Sequence, residues 1–308
     1  MSNTVIKVAA RELDLMKKFY MPSLSEKVPP GGVFAAKLPG CTITAYKSGK
    51  VMFQGKSHES EAARWGSPVH KQAPQSKTSG SPLPPSISAM SVMGSDEVGT
   101  GDYFGPMPVV AAFVEKEQIP LLKELGVKDS KNLNDVQIVE IAKNLLTFLP
   151  YSLLVLPNEK YNRLQASGMT QGKMKAILHN QALNNLLGKI SPLIPEAILI
   201  DQFAEADIYF RHLKDQKKVC RSNVFFSTKA ESVHLAVAAA SILARYAFIK
   251  EFEKLSKEAG FTLPKGAGRQ VDEAAARLIR KHGKQSLMHF TKVHFANTGK
   301  AEKLAEKR

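Results

Sequence analysis

Cysteine is nearly missing from this chain of 308 residues: only Cys41 and Cys220 occur, far apart and in no metal-binding spacing. That scarcity argues against a disulfide framework or a zinc site and fits a reducing compartment. Long apolar runs are missing too. The stretch Met1 to Lys7 lacks the apolar core of a secretion signal, and the most hydrophobic segment, Leu235 to Ala244, is too short to cross a bilayer. The expectation is a cytoplasmic protein, monomeric and without a membrane partner. Acidic residues are also in short supply, 28 Asp and Glu against 43 Lys and Arg, a formal net charge of +15. Such an excess seeks a polyanion, nucleic acid ahead of an anionic membrane surface.

No single arm carries the charge. Residues 1–66 hold ten basic and five acidic side chains, residues 67–88 only Lys71 and Lys77, and the rest of the excess lies beyond. More than one folded surface is therefore basic. Residues 4–8 alternate like a strand, Glu12 to Tyr20 has helical spacing, and Val33 to Leu38, Cys41 to Tyr46 and Val51 to Gln54 read as three strands. A short helix from Ser57 to Trp65 closes a small antiparallel sheet with two helices. Lys37, Lys47, Lys50 and Lys56 fall on or beside its strands and turns, where they either hold a phosphate backbone or merely solubilise the surface. Residues 67–88 are rich in Pro, Ser and Gln, the composition of a flexible linker.

A second domain follows over residues 89–308. Strands are expected at 89–97, 107–114, 151–156, 197–201 and 223–226, and helices at 120–125, 134–148, 159–164, 170–188 and 232–257. That order describes an α/β mixed sheet with flanking helices. The run Ala236 to Ala240 demands close packing of the last helix. The final ten residues are charged, and fraying is expected there.

Four acids stand out. Asp96 and Asp201 each end an apolar strand, Glu97 adjoins the first, and Glu231 sits at a strand-to-helix junction. Groups outside strand ends in such sheets converge on one crevice. Gathered carboxylates repel and raise one another's pKa unless cations neutralise them. Oxygen-only ligands favour Mg2+ or Mn2+ over zinc, and two such ions with an anionic substrate would mean phosphodiester hydrolysis. The bland alternative is that these acids cap helices or pair with lysines. Gly99-Thr100-Gly101 lacks the full dinucleotide fingerprint, so its glycines point instead to close approach of a sugar or phosphate. Lys131, beside Ser130, is a candidate for a phosphate contact. His289 and His294 read as structural.

The motifs Asp96-Glu97-Val98-Gly99-Thr100-Gly101-Asp102-Tyr103-Phe104-Gly105-Pro106, Lys128-Asp129-Ser130-Lys131, Ile200-Asp201, Lys229-Ala230-Glu231-Ser232 and Lys292-Val293-His294-Phe295-Ala296-Asn297-Thr298 resemble the ribonuclease HII/HIII family, its HIII branch in particular. The resemblance spans residues 90–298, and residues 1–66 fit the small α+β TATA-binding-protein-like domain that HIII enzymes carry. It implies a ribonuclease H-like fold in the second domain. It also implies metal-dependent endonucleolytic hydrolysis of the RNA strand of RNA/DNA hybrids, leaving 5′-phosphate and 3′-hydroxyl ends. Asp96, Glu97, Asp201 and Glu231 would be both catalytic residues and metal ligands. By the same resemblance Gly99, Thr100 and Gly101 approach the 2′-hydroxyl, while Ser130 and Lys131 steady the strand. Thr100 stands where the HII branch has arginine, which sets cleavage at an isolated ribonucleotide in doubt. A DNA-directed enzyme of ribonuclease H type, such as a junction resolvase, and a non-catalytic nucleic-acid-binding scaffold remain the alternatives.

Overall fold

The computed structural model describes residues 3–29, 31–66 and 82–306. The chain divides into two compact units between Lys77 and Thr78. Most of the stretch expected to be a linker, residues 67–81, lies outside the described residues. Residues 82–88 differ from that expectation: Leu83 packs against the core of the second unit and Ile87 is buried in it. Two apolar side chains among three prolines suffice to dock the segment, because each contributes its own burial free energy.

The first unit contains β1 (Asn3–Lys7), α1 (Ala10–Phe19), β2 (Gly32–Leu38), β3 (Cys41–Tyr46), β4 (Lys50–Gln54) and α2 (His58–Ala62). Its strands form an antiparallel sheet in the order β1-β4-β3-β2. Period-two alternation turns Ile6, Phe34, Ala36, Ile43, Ala45, Val51 and Phe53 to one face, where Leu13 and Met16 of α1 cover them. Trp65 joins this core and donates through Nε1 to the Tyr20 hydroxyl at 2.6 Å.

The second unit runs β5 (Val92–Glu97), β6 (Met107–Val114), α3 (Ile119–Glu124), α4 (Asp135–Phe148), β7 (Tyr151–Leu156), α5 (Asn158–Ala166), α6 (Gln171–Ile190), β8 (Ala197–Asp201), α7 (Ala206–His212), β9 (Val224–Ser227), α8 (Leu235–Ala259), α9 (Arg269–His282), α10 (Leu287–Phe290) and α11 (Asn297–Glu306). The sheet order is β7-β6-β5-β8-β9. β5, β6 and β7 pair antiparallel, whereas β5-β8 and β8-β9 are parallel. Both faces are covered, so its strands read as nearly continuous apolar runs. Val92, Val110, Ala112 and Leu199 face α4 and α8. Met93, Ala111, Phe113, Ile198 and Ile200 face α6 and α7.

The alanine run of α8 lies against β5, as its small side chains require. A Cβ added at Gly94 would come within 2.3 Å of the Ala236 and Val237 backbone. Helix α4 begins where the sequence indicates, with Asn134 and Gln137 forming a reciprocal capping box. The C-terminal region is more ordered than expected. α9 buries Val271, Ala275 and Leu278, and α11, in the stretch expected to fray, buries Ala301 in the same cluster. α9 sets its apolar side chains on one face between charged ones, a pattern present in the sequence, whereas α11 is short and largely polar.

Candidate active site

The strand pairing brings the first two acids side by side. Ser95 is level with Ile200 across the parallel β5-β8 pair, so Asp96 and Asp201, one residue on, stand abreast on strands about 4.8 Å apart. Glu97 ends β5 beside Asp96. Beyond β9, Lys229 adopts a left-handed conformation (φ 58°) that starts a short 3-10 turn, Ala230–Ser232, and turns Glu231 inward, where it is buried. The Ala230 N–H donates to Asp201 Oδ1 at 2.9 Å, which locks this turn to the end of β8. All four acids therefore occupy one end of the sheet, although the sequence separates them by up to 135 positions.

Their electrostatics register the crowding. Burial raises the Asp96 pKa well above the usual carboxylate value, and Glu97, Asp201 and Glu231 push it further up against a hydrogen bond from Ser241. Burial also raises Asp201, with Glu97 and Glu231 adding to the effect against the Ala230 N–H and Lys131. Glu97 behaves in the opposite way. Burial alone would raise it, but His179 and Lys175 outweigh that and hold its carboxyl below the usual range. His179 Nε2 meets Glu97 Oε2 at 2.9 Å, and Lys175 forms a short ion pair with Oε1. His179 is fixed from behind by Ser95 Oγ at 2.6 Å from Nδ1.

Glu231 accepts from the Ser130 N–H at 2.8 Å and from Lys131 Nζ at 2.9 Å. Ser130 is buried, its hydroxyl on Ser241 Oγ at 2.9 Å, so it steadies an acid rather than lying open to a strand. The Lys131 side chain stays 70% exposed and can still reach outward. Among the described residues no three acidic or histidine side chains are drawn tightly enough to close on one ion. Each acid is instead held by its local partners. The donor set itself, four carboxylates with charge to neutralise, fits a hard divalent cation.

The glycine turn lies directly beyond Glu97. Gly99 has φ +87°, and a Cβ there would meet Pro106 O at 2.5 Å, so the turn needs glycine for its own geometry. Gly101 differs: a Cβ there meets nothing within 4 Å. Its missing side chain leaves room for a ligand to approach the backbone. The Thr100 carbonyl accepts from Gln171 Nε2 at 3.2 Å.

Several functional-looking residues escaped the sequence reading. Lys175 and His179 are one turn apart on α6, whose weak amphipathic pattern gives no signal of their inward aim. Lys292 is fully buried. His289 bridges Glu159 and Glu258, and His294 stacks on Tyr161, in keeping with structural roles.

Comparison with known proteins agrees with this geometry. The family model described as Ribonuclease HII matches residues 93–298, and a domain of unknown function, DUF3378, matches residues 3–78. Ribonuclease HIII of Bacillus mycoides (strain KBAB4) is 62% identical over the full length of both chains. Ribonuclease HIII of Bacillus subtilis (strain 168) is 60% identical over 100% of this chain and 99% of its own. The crystal structure of Bst-RNase HIII in complex with Mn2+ superposes over the whole of both chains with a TM-score of 0.72 at 49% identity. The mixed sheet with its flanking helices is thus a ribonuclease H-like fold, and the chain belongs to the ribonuclease HII/HIII family, within its ribonuclease HIII branch.

Proposed function

We propose that this protein is a divalent-cation-dependent endoribonuclease that hydrolyses the RNA strand of RNA/DNA hybrids, leaving 5′-phosphate and 3′-hydroxyl ends. The observation that carries the reading is the shared electrostatic field of Asp96, Glu97, Asp201 and Glu231 beside a glycine turn open at Gly101. In this reading the four carboxylates hold Mg2+, or Mn2+ in its place. Two such ions, when bound, supply an activated water on one side of the scissile phosphate and stabilise the leaving oxygen on the other.

The chain's own groups prepare that chemistry. Lys175 and His179 keep Glu97 ionised and oriented. The Ala230 N–H fixes one oxygen of Asp201, and the Ser130 N–H fixes Glu231. Lys131 lies where a backbone phosphate can share its charge with Glu231. The turn at Gly99-Thr100-Gly101 meets the ribose, and the 2′-hydroxyl is the local group that separates RNA from DNA.

The first unit, read as a TATA-binding-protein-like domain, grips the hybrid. The sheet face away from its core carries Lys7, Lys50, Gln54, Thr42 and Lys37. Lys7 and Lys50 are direct cross-strand partners, a like-charge pair that costs stability by itself and that a phosphate relieves. End-labelled RNA/DNA hybrid, duplex DNA and DNA with a single embedded ribonucleotide, each with and without Mg2+, test the whole reading. Mg2+-dependent scission of the hybrid's RNA strand is expected. Cutting of duplex DNA, or hybrid binding without scission, would overturn it.

A further inference from the structure

The turn proposed to face the ribose is closed by the Asp102 N–H on Gly99 O at 3.3 Å and is held besides from outside. Its carbonyls point inward onto two side chains from distant parts of the chain. Lys292 Nζ donates to Asp102 O at 2.8 Å and to Gly105 O at 2.6 Å. Gln171, the first residue of α6, donates to Thr100 O at 3.2 Å and to the Tyr161 hydroxyl at 3.0 Å. The backbone of the Lys292 segment is tied to the same turn: Phe104 and Thr291 form an isolated bridge, Lys292 N donates to Tyr103 O at 2.8 Å, and Gly105 N to Phe290 O at 3.1 Å. Asn162 then fixes this segment from α5, donating to Thr291 O at 2.7 Å and accepting from Val293 N at 3.0 Å.

A wholly buried lysine is an expensive way to fill space. Burial pushes the Lys292 amino group down to about 7, against a smaller upward pull from Asp102. A methionine of similar length would pack there without that desolvation cost. What methionine cannot do is donate to two carbonyls and so pin the Asp102 and Gly105 end of the turn, while Gln171 holds the Thr100 carbonyl, whose peptide carries the Gly101 N–H.

We infer that Lys292 and Gln171 are positioning residues that set the Gly99–Gly105 turn for ribose recognition, and thereby the discrimination between an RNA/DNA hybrid and an all-DNA duplex. The inference rests on the reading of that turn as the ribose-facing element. Neither side chain touches substrate in this scheme; both act through the peptide groups of the turn.

The test uses the full chain with Lys292→Met and, separately, Gln171→Leu. Single-turnover cleavage of a hybrid is measured over a range of enzyme concentrations, with an all-DNA duplex of the same sequence as competitor, and thermal unfolding is followed in parallel. The expected result is a fall of about tenfold or more in the second-order rate constant on the hybrid, as misplacement by a fraction of an ångström produces. The inhibition constant of the DNA duplex should stay unchanged. Unaltered discrimination in a folded variant would overturn the inference, and so would an equal loss of affinity for both duplexes. If Lys292→Met does not fold, Gln171→Leu decides alone, because its side chain lies nearer the surface. A wild-type protein that fails to prefer hybrid over DNA would instead sink the proposed function, a result visible before either variant is made.

Discussion

Gly94→Ala is the smallest change that probes how the sheet and α8 together build the site. A Cβ at Gly94 would lie 2.3 Å from the Ala236 carbonyl carbon and the Val237 nitrogen, and both are backbone atoms that no rotamer change can move aside. Reaching an ordinary contact of 3.4 Å requires α8 to retreat from β5 by about 1 Å. Overpacking of this kind costs about 1–3 kcal/mol. For a unit of this size that lowers Tm by roughly 2–4 °C per kcal/mol. The displaced helix carries Ser241, which hydrogen-bonds both Asp96 and the Ser130 hydroxyl, so the acids lose registry along with the packing. Cleavage under single-turnover conditions should fall by about ten- to a hundredfold, the scale that accompanies an ångström of misplacement. Circular dichroism melting and cleavage of an end-labelled hybrid provide the two readouts. A Tm within about 1 °C of wild type and an unchanged rate would refute the close-packing argument.

Asp96→Asn and Asp201→Asn should retain the fold and hybrid binding but lose nearly all cleavage in Mg2+; undiminished turnover in either variant would remove that residue from the ligand set. Because the folded pKa of Lys292, about 7, lies below its unfolded value of 10.5, the unfolded chain binds the extra proton between those limits and stability rises with pH through that window. Relative to Lys292→Met, the wild-type protein should therefore gain Tm as pH climbs from about 7 to 9, and parallel Tm curves would contradict this. The double variant Lys7→Gln, Lys50→Gln should weaken hybrid affinity and flatten the dependence of log affinity on log salt by about 2, with the rate at saturating enzyme unaltered; binding titrations at several salt concentrations supply the slope.

Much of the site is legible in the sequence because strand ends announce themselves. Met107 to Val114 and Ala197 to Asp201 are apolar runs closed by a turn or a carboxylate, and the structure keeps those limits. The strand Tyr151–Leu156 is equally plain. What stays hidden depends on tertiary contact. Lys292 looks like any basic residue until the fold surrounds it, and Ser130 looks like a surface partner for phosphate until its hydroxyl meets Ser241. Lys175 and His179 sit on a helix whose sequence period is blurred by amides such as Asn180 and Asn184, so their inward aim cannot be read from spacing. α9 and α11 pack in one cluster; α9 shows its apolar stripe at helical spacing, whereas α11 is short and mostly polar, so its docking depends on that contact.

The bridge between Phe104 and Thr291 joins positions almost the whole second unit apart. During synthesis the glycine turn emerges early, yet the Lys292 side chain and backbone that hold it come off the ribosome only after the sheet strands β5 to β9 and the long α8 have been made. A nascent chain can thus form most of its sheet, and even gather its acids, before the turn proposed to face the ribose is set. Closure of this late, non-local contact is also the slow kind of step in folding, so the turn is set last.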